Sequence, residues 1–230
     1  MKVFWYDQPG DSVSNLMIKG LPPFDNIDLV LVTHKHSDHF GRTIVMDFLK
    51  NNPNAALVCP RQADDLLRLD TDYSQVAARI NTPNSADTLD TLLCINKINI
   101  EALRFDHGQS FVMDSVSGKD YDIHKDIENI AYLINLGGFT IFHSGDCSFS
   151  DKAHFQTYDF ASNEIDVAFI DRTFLNREGQ DLMNEYIRTK NLIFMHIAPG
   201  KSDYFKTVLK NIPDIFVFGQ SQETKVITKQ

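Results

Sequence analysis

A largely apolar run, residues 27–32, ends in Thr33-His34-Lys35-His36-Ser37-Asp38-His39, so four side chains able to ligate a metal follow a strand within six positions. This constrains the fold more than any other stretch. It calls for a buried strand that presents a ligand cluster at its end, with a helix close behind. Arg42–Asn51 supplies the helix, placing Ile44, Val45, Phe48 and Leu49 on one stripe at helical spacing. His34 and His36, two apart, point the same way as the chain leaves the strand. Asp38 and His39 come one short turn later. One pair of imidazoles can thus face one metal ion and an Asp/His pair a second. Imidazole and carboxylate are ligands that zinc takes in catalytic sites, whereas thiolates are favoured in structural ones. Cys59, Cys94 and Cys147 have no zinc-finger spacing, so a metal bound here would be catalytic.

Short runs rich in Val, Ile and Phe recur at 3–6, 56–59, 92–98, 100–105, 130–136, 139–142, 167–170, 192–195 and 215–218, and each is expected as a strand. Leu136-Gly137-Gly138-Phe139 reads as a tight hairpin. Helical stripes recur at 61–69, 179–188 and Ser202–Leu209, the last with Ser202 or Asp203 as its cap. Strands outnumber helices and both occur in each half, which predicts an α/β fold of sheets with helices packed outside. Residues 81–91 and the charged stretch 113–126 are expected as surface loops, the longer one functional.

The cluster His34-x-His36-x-Asp38-His39 resembles the signature of the metallo-β-lactamase superfamily. The resemblance continues downstream in order, over about residues 3–220. A strand runs into Asp106-His107-Gly108, a hairpin into His143-Ser144-Gly145-Asp146-Cys147, and the strand Leu192-Ile193-Phe194-Met195 into His196. The resemblance implies one domain, residues 1–230, built as a four-layer αββα sandwich of two mixed β-sheets with outer helices. It implies two divalent metal ions, most often zinc, with manganese or iron suiting the same ligands. His34, His36 and His107 would hold one ion, Asp38, His39 and His196 the other, and Asp146 would bridge them. His39 and Asp146 point to the two-metal hydrolases rather than the lactamases proper, which use a cysteine ligand. In the oxygen reductases of this fold a glutamate stands where this chain has His36. Residues 22–41 most resemble the group of lactonases and N-acyl phosphatidylethanolamine phospholipase D.

These resemblances imply a hydrolase whose bridging hydroxide attacks an ester, lactone or phosphodiester, with Asp38 and Asp146 as the catalytic carboxylates. A thioester hydrolase of the glyoxalase two type and a non-catalytic metal-binding module are the alternatives. Thr33 and Asp7 are candidates to orient the imidazoles, Asp7 matching the family's supporting aspartate at the end of a strand. Arg172 and Lys201 follow strand ends and could anchor a substrate anion. His143 is read as structural, His124 and His154 as surface residues, and Cys147 as no metal contact. The family's first N-terminal hairpin is not recognisable, and an uncovered sheet edge could draw a second copy of the chain against it.

Of the 230 residues, 22 are Lys or Arg and 31 are Asp or Glu, a net charge of −9. With no basic run, the chain lacks the electrostatic footprint of a nucleic-acid binder. Two dications less two carboxylates would still leave the site near about +2, so a small anion can bind there. The partner expected is a small molecule. The stretch 3–6 is too short for the core of an export signal, and no run approaches the roughly 18 apolar residues of a membrane span. A cytoplasmic location is expected.

Overall fold

Central strands buried on both faces, their successive side chains pointing to opposite sides, lay out the molecule. The structure is a computed structural model in which residues 10–83, 90–150, 152–158, 160, 164–189, 191–210, 214–219 and 223–229 are described. The chain runs α1 (Asp11–Lys19), β1 (Leu29–Leu31), α2 (Arg42–Asn51), β2 (Ala56–Val58), α3 (Arg61–Leu67), α4 (Tyr73–Val76) and β3 (Ile80–Asn81). It continues with β4 (Thr91–Ile95), β5 (Ile98–Asp106), β6 (Phe111–Met113), β7 (Asp120–Asp122), β8 (Glu128–Leu136), β9 (Phe139–His143) and α5 (Lys152–Thr157). The last elements are β10 (Val167–Asp171), α6 (Arg177–Leu182), β11 (Leu192–Met195), α7 (Ser202–Leu209) and β12 (Ile215–Phe216).

Two main sheets result. The smaller has the order β1-β2-β3, with its described strands all parallel. The larger is mixed, in the order β12-β11-β10-β9-β8-β5-β4. In it β4, β5, β8 and β9 pair antiparallel, and β9 through β12 pair parallel. β6 and β7 form a separate two-stranded ribbon.

The layers follow from which face each residue takes. On β5 and β8, Ile100, Ala102, Ile130 and Tyr132 pack with Val58 of β2 and with Leu29 and Leu31 of β1 between the two sheets. The alternate residues Leu103, Phe105, Ala131 and Leu133 face the other way, against Phe155 of α5 and Leu182 of α6. On the smaller sheet Val32 and Leu57 pack with Met46 and Leu49 of α2 and with Ala63 and Leu67 of α3. The result is helix, sheet, sheet, helix, the αββα order implied by the signature. No helix among the described residues is long and apolar enough to cross a membrane.

One polar contact joins the sheets near their strand ends. The Tyr132 hydroxyl, fully buried on β8, donates to the carbonyl of Val32 at 2.7 Å. The backbone N–H of Ile130 donates to the Thr33 carbonyl at 2.9 Å, so the end of the smaller sheet is fastened to the larger one.

Several expectations change in detail. The strand expected over 92–98 breaks at Asn96-Lys97, whose φ values of 50° and 67° make a two-residue hairpin between β4 and β5. Neither residue is glycine, so the sequence gives a weak turn signal there. α1, α4 and α5 were not anticipated; α1 buries no residue, and α4 and α5 are too short to show a stripe. The expected helix over 179–188 is α6 followed by a π-helical turn, Met183–Ile187. Lys201 occupies the cap position of α7, and neither Ser202 nor Asp203 caps it. The strand expected at 3–6, Asp7 and most of the loop expected at 81–91 lie outside the described residues.

Replacing Tyr132 by Phe leaves the buried Val32 carbonyl without this donor. The variant should lose about 1–3 kcal/mol of unfolding free energy, seen as a lower urea midpoint at unchanged m-value. An unchanged midpoint would show that the sheets hold together without this bond.

Candidate metal centre

Strand ends from both sheets converge on one spot. His34 follows β1, His107 follows β5, Asp146 follows β9, Asp171 ends β10 and His196 follows β11. Every one of these side chains leaves its strand where the ladder stops, so the sheets hold the backbone and the side chains point into the gap. His34 is fully buried and His107 nearly so.

Asp146 sits in the middle. Its Oδ2 lies 3.8 Å from His34 Nε2 and 3.6 Å from His107 Nε2. Its Oδ1 lies 3.4 Å from His39 Nε2 and 3.3 Å from His196 Nε2. Ligand atoms of His34, His36 and His107 lie within 4.8 Å of one another, as do those of Asp38, His39 and His196. All seven residues of the expected ligand set therefore come together around one carboxylate, and the two groups adjoin, since ligand atoms of His34, His39 and Asp146 also lie within 4.8 Å of one another.

The donor atoms fit a metal ion. His34 Nε2, His107 Nε2 and Asp146 Oδ1 are buried with no hydrogen-bond partner. Leaving such groups unsatisfied costs about 1–3 kcal/mol each, which cation binding would recover. The other ring nitrogens are engaged. His107 Nδ1 lies 2.8 Å from the Gly108 carbonyl, which can only accept, so the proton sits on Nδ1 and Nε2 carries the lone pair. A ligating Nε2 on His34 likewise needs its proton on Nδ1, where Thr33 Oγ1 lies 3.1 Å away. His39 and His196 bring their Nε2 atoms to 2.6 Å. Two imidazole nitrogens this close must share a proton or face a common cation.

Burial also sets protonation. It lowers the pKa of His34 and His36, and lowers His39 and His107 to about 4, so these rings are neutral at neutral pH. His196 differs. Burial pulls it down, but the carboxylates of Asp171 and Asp146 outweigh burial and raise it. Burial pushes Asp146 up to about 7, with the carboxylates of Asp171 and Asp38 adding to the rise and His196 opposing it.

The turn carrying Asp146 is clamped. Gly145 has φ +55°, and a Cβ there would lie 2.6 Å from Asn129 Oδ1 and 2.9 Å from Thr33 Cβ. Asn129, buried on β8, accepts from the Asp146 backbone N–H at 3.1 Å. His143 accepts from the Gly145 N–H at 3.1 Å and lies parallel to the Phe169 ring, so its role is in the turn. Cys147 donates its thiol to the Ser144 carbonyl, away from the cluster.

Three contributors escape the sequence reading. Asp171 is buried at the end of β10, and its carboxylate bonds directly to His196 Nδ1. Its neighbour in the β10–β11 register is Met195, so only strand pairing reveals that it abuts His196. His196 itself adopts φ +54°, a conformation costly for a non-glycine residue, and the Asp171 contact helps hold it there. Asn129 lies near the start of β8, directly before the apolar run Ile130–Ile134. His124, expected on the surface, instead lies with its ring centroid 4.8 Å from that of His36 and 4.4 Å from that of His107. Its Nδ1 donates to the same Gly108 carbonyl that accepts from His107. Arg172 and Lys201 are exposed, and no hydrogen bond or ion pair among the described residues joins either to the cluster. His154 is half-buried on α5 beside Phe105, away from the cluster.

Comparison with known proteins gives this geometry its context. The family model described as the β-lactamase superfamily domain matches residues 15–199. The chain belongs to the β-lactamase superfamily. A metal-dependent hydrolase of Bacillus licheniformis is 26% identical over 201 residues, covering 82% of this chain and 74% of that protein. Among solved structures, the metallo-β-lactamase fold protein YhfI of Bacillus subtilis is 16% identical with a TM-score of 0.56, covering 93% of this chain and 83% of that one. Zinc-bound PqqB of Methylobacterium extorquens is 13% identical with a TM-score of 0.53, covering 87% and 73%. At these identities the two structures show a shared superfamily fold.

Two measurements probe the centre. Asp171→Asn keeps the shape but removes the charge behind His196, and should weaken metal affinity about 10–100-fold in a chelator competition; an unchanged affinity would make Asp171 incidental. The second concerns Asp146. Its carboxyl titrates near 3.8 when unfolded and near 7 when folded, so the folded state binds the extra proton between these values. Asp146 by itself therefore contributes a loss of stability as pH rises through that window, opposed by the gain from His39 and His107, which are protonated only in the unfolded chain over the same range. Asp146→Asn should remove this contribution and gain about 1–3 kcal/mol at pH 7 in chelator, measured by urea unfolding. Parallel pH profiles for the two proteins would contradict the assignment.

Proposed function

We propose that this metal-dependent hydrolase of the β-lactamase superfamily works with two divalent metal ions and cleaves an ester, lactone or phosphodiester of a small substrate. The observation that supports it best is that the two oxygens of Asp146 face two different sets of histidines. His34, His36 and His107 would hold one ion, Asp38, His39 and His196 the other, with Asp146 shared. Zinc heads the candidates, since imidazole and carboxylate suit it and PqqB, of the same fold, is zinc-bound. Hydrolysis is the activity named for the Bacillus licheniformis relative.

Ions bound there would lower the pKa of a shared water toward about 7 and polarise the substrate's carbonyl or phosphoryl oxygen. The chain's own residues prepare the rest. Thr33 and the Gly108 carbonyl hold Nδ1 protons, so the Nε2 lone pairs of His34 and His107 point inward. Asp171 does the same for His196. Asp38 is the most exposed of the carboxylates on the cluster, its Oδ2 3.8 Å from His39 Nε2. That places a base at the mouth, able to take a proton from the attacking water and return it to the leaving group. The resemblance of residues 22–41 to the lactonase and phospholipase D group agrees with an oxygen ester or phosphodiester.

Elemental analysis of the purified protein should find about two metal ions per chain, falling to one or none in Asp146→Ala. On a panel of chromogenic phosphodiester, lactone and thioester substrates, chelation should abolish turnover and zinc should restore it. A parent without bound metal overturns the proposal. Full metal occupancy with silence on every substrate would make the chain a metal-binding module.

A further inference from the structure

The ribbon of β6 and β7 springs from the metal centre and carries its apolar side chains into solvent. Ser110, three residues beyond His107, is tied to the far end of the ribbon, its N–H donating to Asp122 Oδ1 and its carbonyl accepting from Ile123 N–H. His124 follows at once, bonded to the Gly108 carbonyl beside the rings of His36 and His107. Both ends of the ribbon are thus anchored at the rim of the site. The segment 113–126, expected as a polar loop, is an ordered arm.

The tip is a built turn. Asp114 Oδ1 accepts from the N–H groups of Val116 and Ser117, and Gly118 takes φ +67°. This holds Val116 at the apex, 95% exposed. Phe111 and Met113 share one face of the ribbon and are 60% and 68% exposed; Val112 and Tyr121 sit opposite each other on the other face and are exposed too. A lone two-stranded ribbon is marginal in water, and an apolar surface this concentrated usually covers something.

We propose that the arm binds the apolar part of the substrate, so that the site takes esters or phosphodiesters bearing an alkyl or aryl group. This rests on the hydrolase reading above. Continuity decides the occupant: the arm's root and His124 meet the ligands His36 and His107, so a substrate held at the metal centre has the apolar ribbon within reach. The arm would also shield the reacting bond from water, which otherwise weakens every polar contact in an open site.

The test uses zinc-loaded full-length protein and straight-chain carboxylates from acetate to octanoate, measured by calorimetry. Affinity should rise about two- to fourfold per methylene over several carbons. A Phe111→Ser, Met113→Ser double variant should flatten this dependence and leave acetate binding and metal content unchanged. Val116→Asp, at the exposed apex, should weaken octanoate without unfolding the chain. The absence of chain-length dependence in the parent, or equal dependence in the double variant, overturns the proposal. So does a dimer in sedimentation that Val116→Asp dissociates, because the arm would then serve a second copy of the chain. Metal content and chromogenic turnover on the same samples report separately on the hydrolase reading.

Discussion

The position of one carboxylate, Asp146, governs this structure. It lies with one oxygen toward His34 and His107 and the other toward His39 and His196. That placement is unfavourable by itself, since burial, with the neighbouring carboxylates of Asp171 and Asp38, raises its pKa to about 7. The fold enforces it through a glycine turn that no larger residue could take, an asparagine that fixes the backbone N–H of Asp146, and a histidine that fixes that of Gly145. Buried polar atoms left open in this way are tolerated where a cation would complete them, and stability is given up for function.

The layers around the centre exist to bring the strand ends together. The candidate ligands arrive from the end of β1 on one sheet and from the ends of β5, β9 and β11 on the other, so the distance between sheets sets the geometry of the cluster. The apolar layer between them, with Val58, Ile100 and Ile130, holds that distance. The Tyr132 hydroxyl and the Ile130 N–H fix the end of β1 against β8 one or two residues before His34. A displacement there would move His34, His36, Asp38 and His39 together relative to Asp146.

Much of this was legible in the sequence because the ligands sit where patterns end. His34, His107 and His196 each follow closely on an apolar run and Asp146 follows one by a short glycine turn, and a strand that stops near a residue able to ligate a metal stands out. The layer order came from the family resemblance, since residues 130–134 are apolar throughout and show no alternation that would separate the faces of Tyr132 and Leu133. What escaped reading depends on pairing between distant segments. Asp171 looks like an ordinary strand end until the β10–β11 register sets it beside His196. Asn129 lies near the start of β8 with nothing local to mark it. His124 sits in a charged stretch, and its role depends on a ribbon whose short strands carry no clear alternation. The Asn96-Lys97 turn was missed because residues other than glycine there take positive φ.

Diffraction at the zinc absorption edge from zinc-loaded crystals would show whether one carboxylate serves two metal ions. Two anomalous peaks per chain are expected, about 3.5–4 Å apart, with Asp146 within bonding distance of both. A single peak, or two peaks with Asp146 turned away from one of them, would contradict a shared carboxylate.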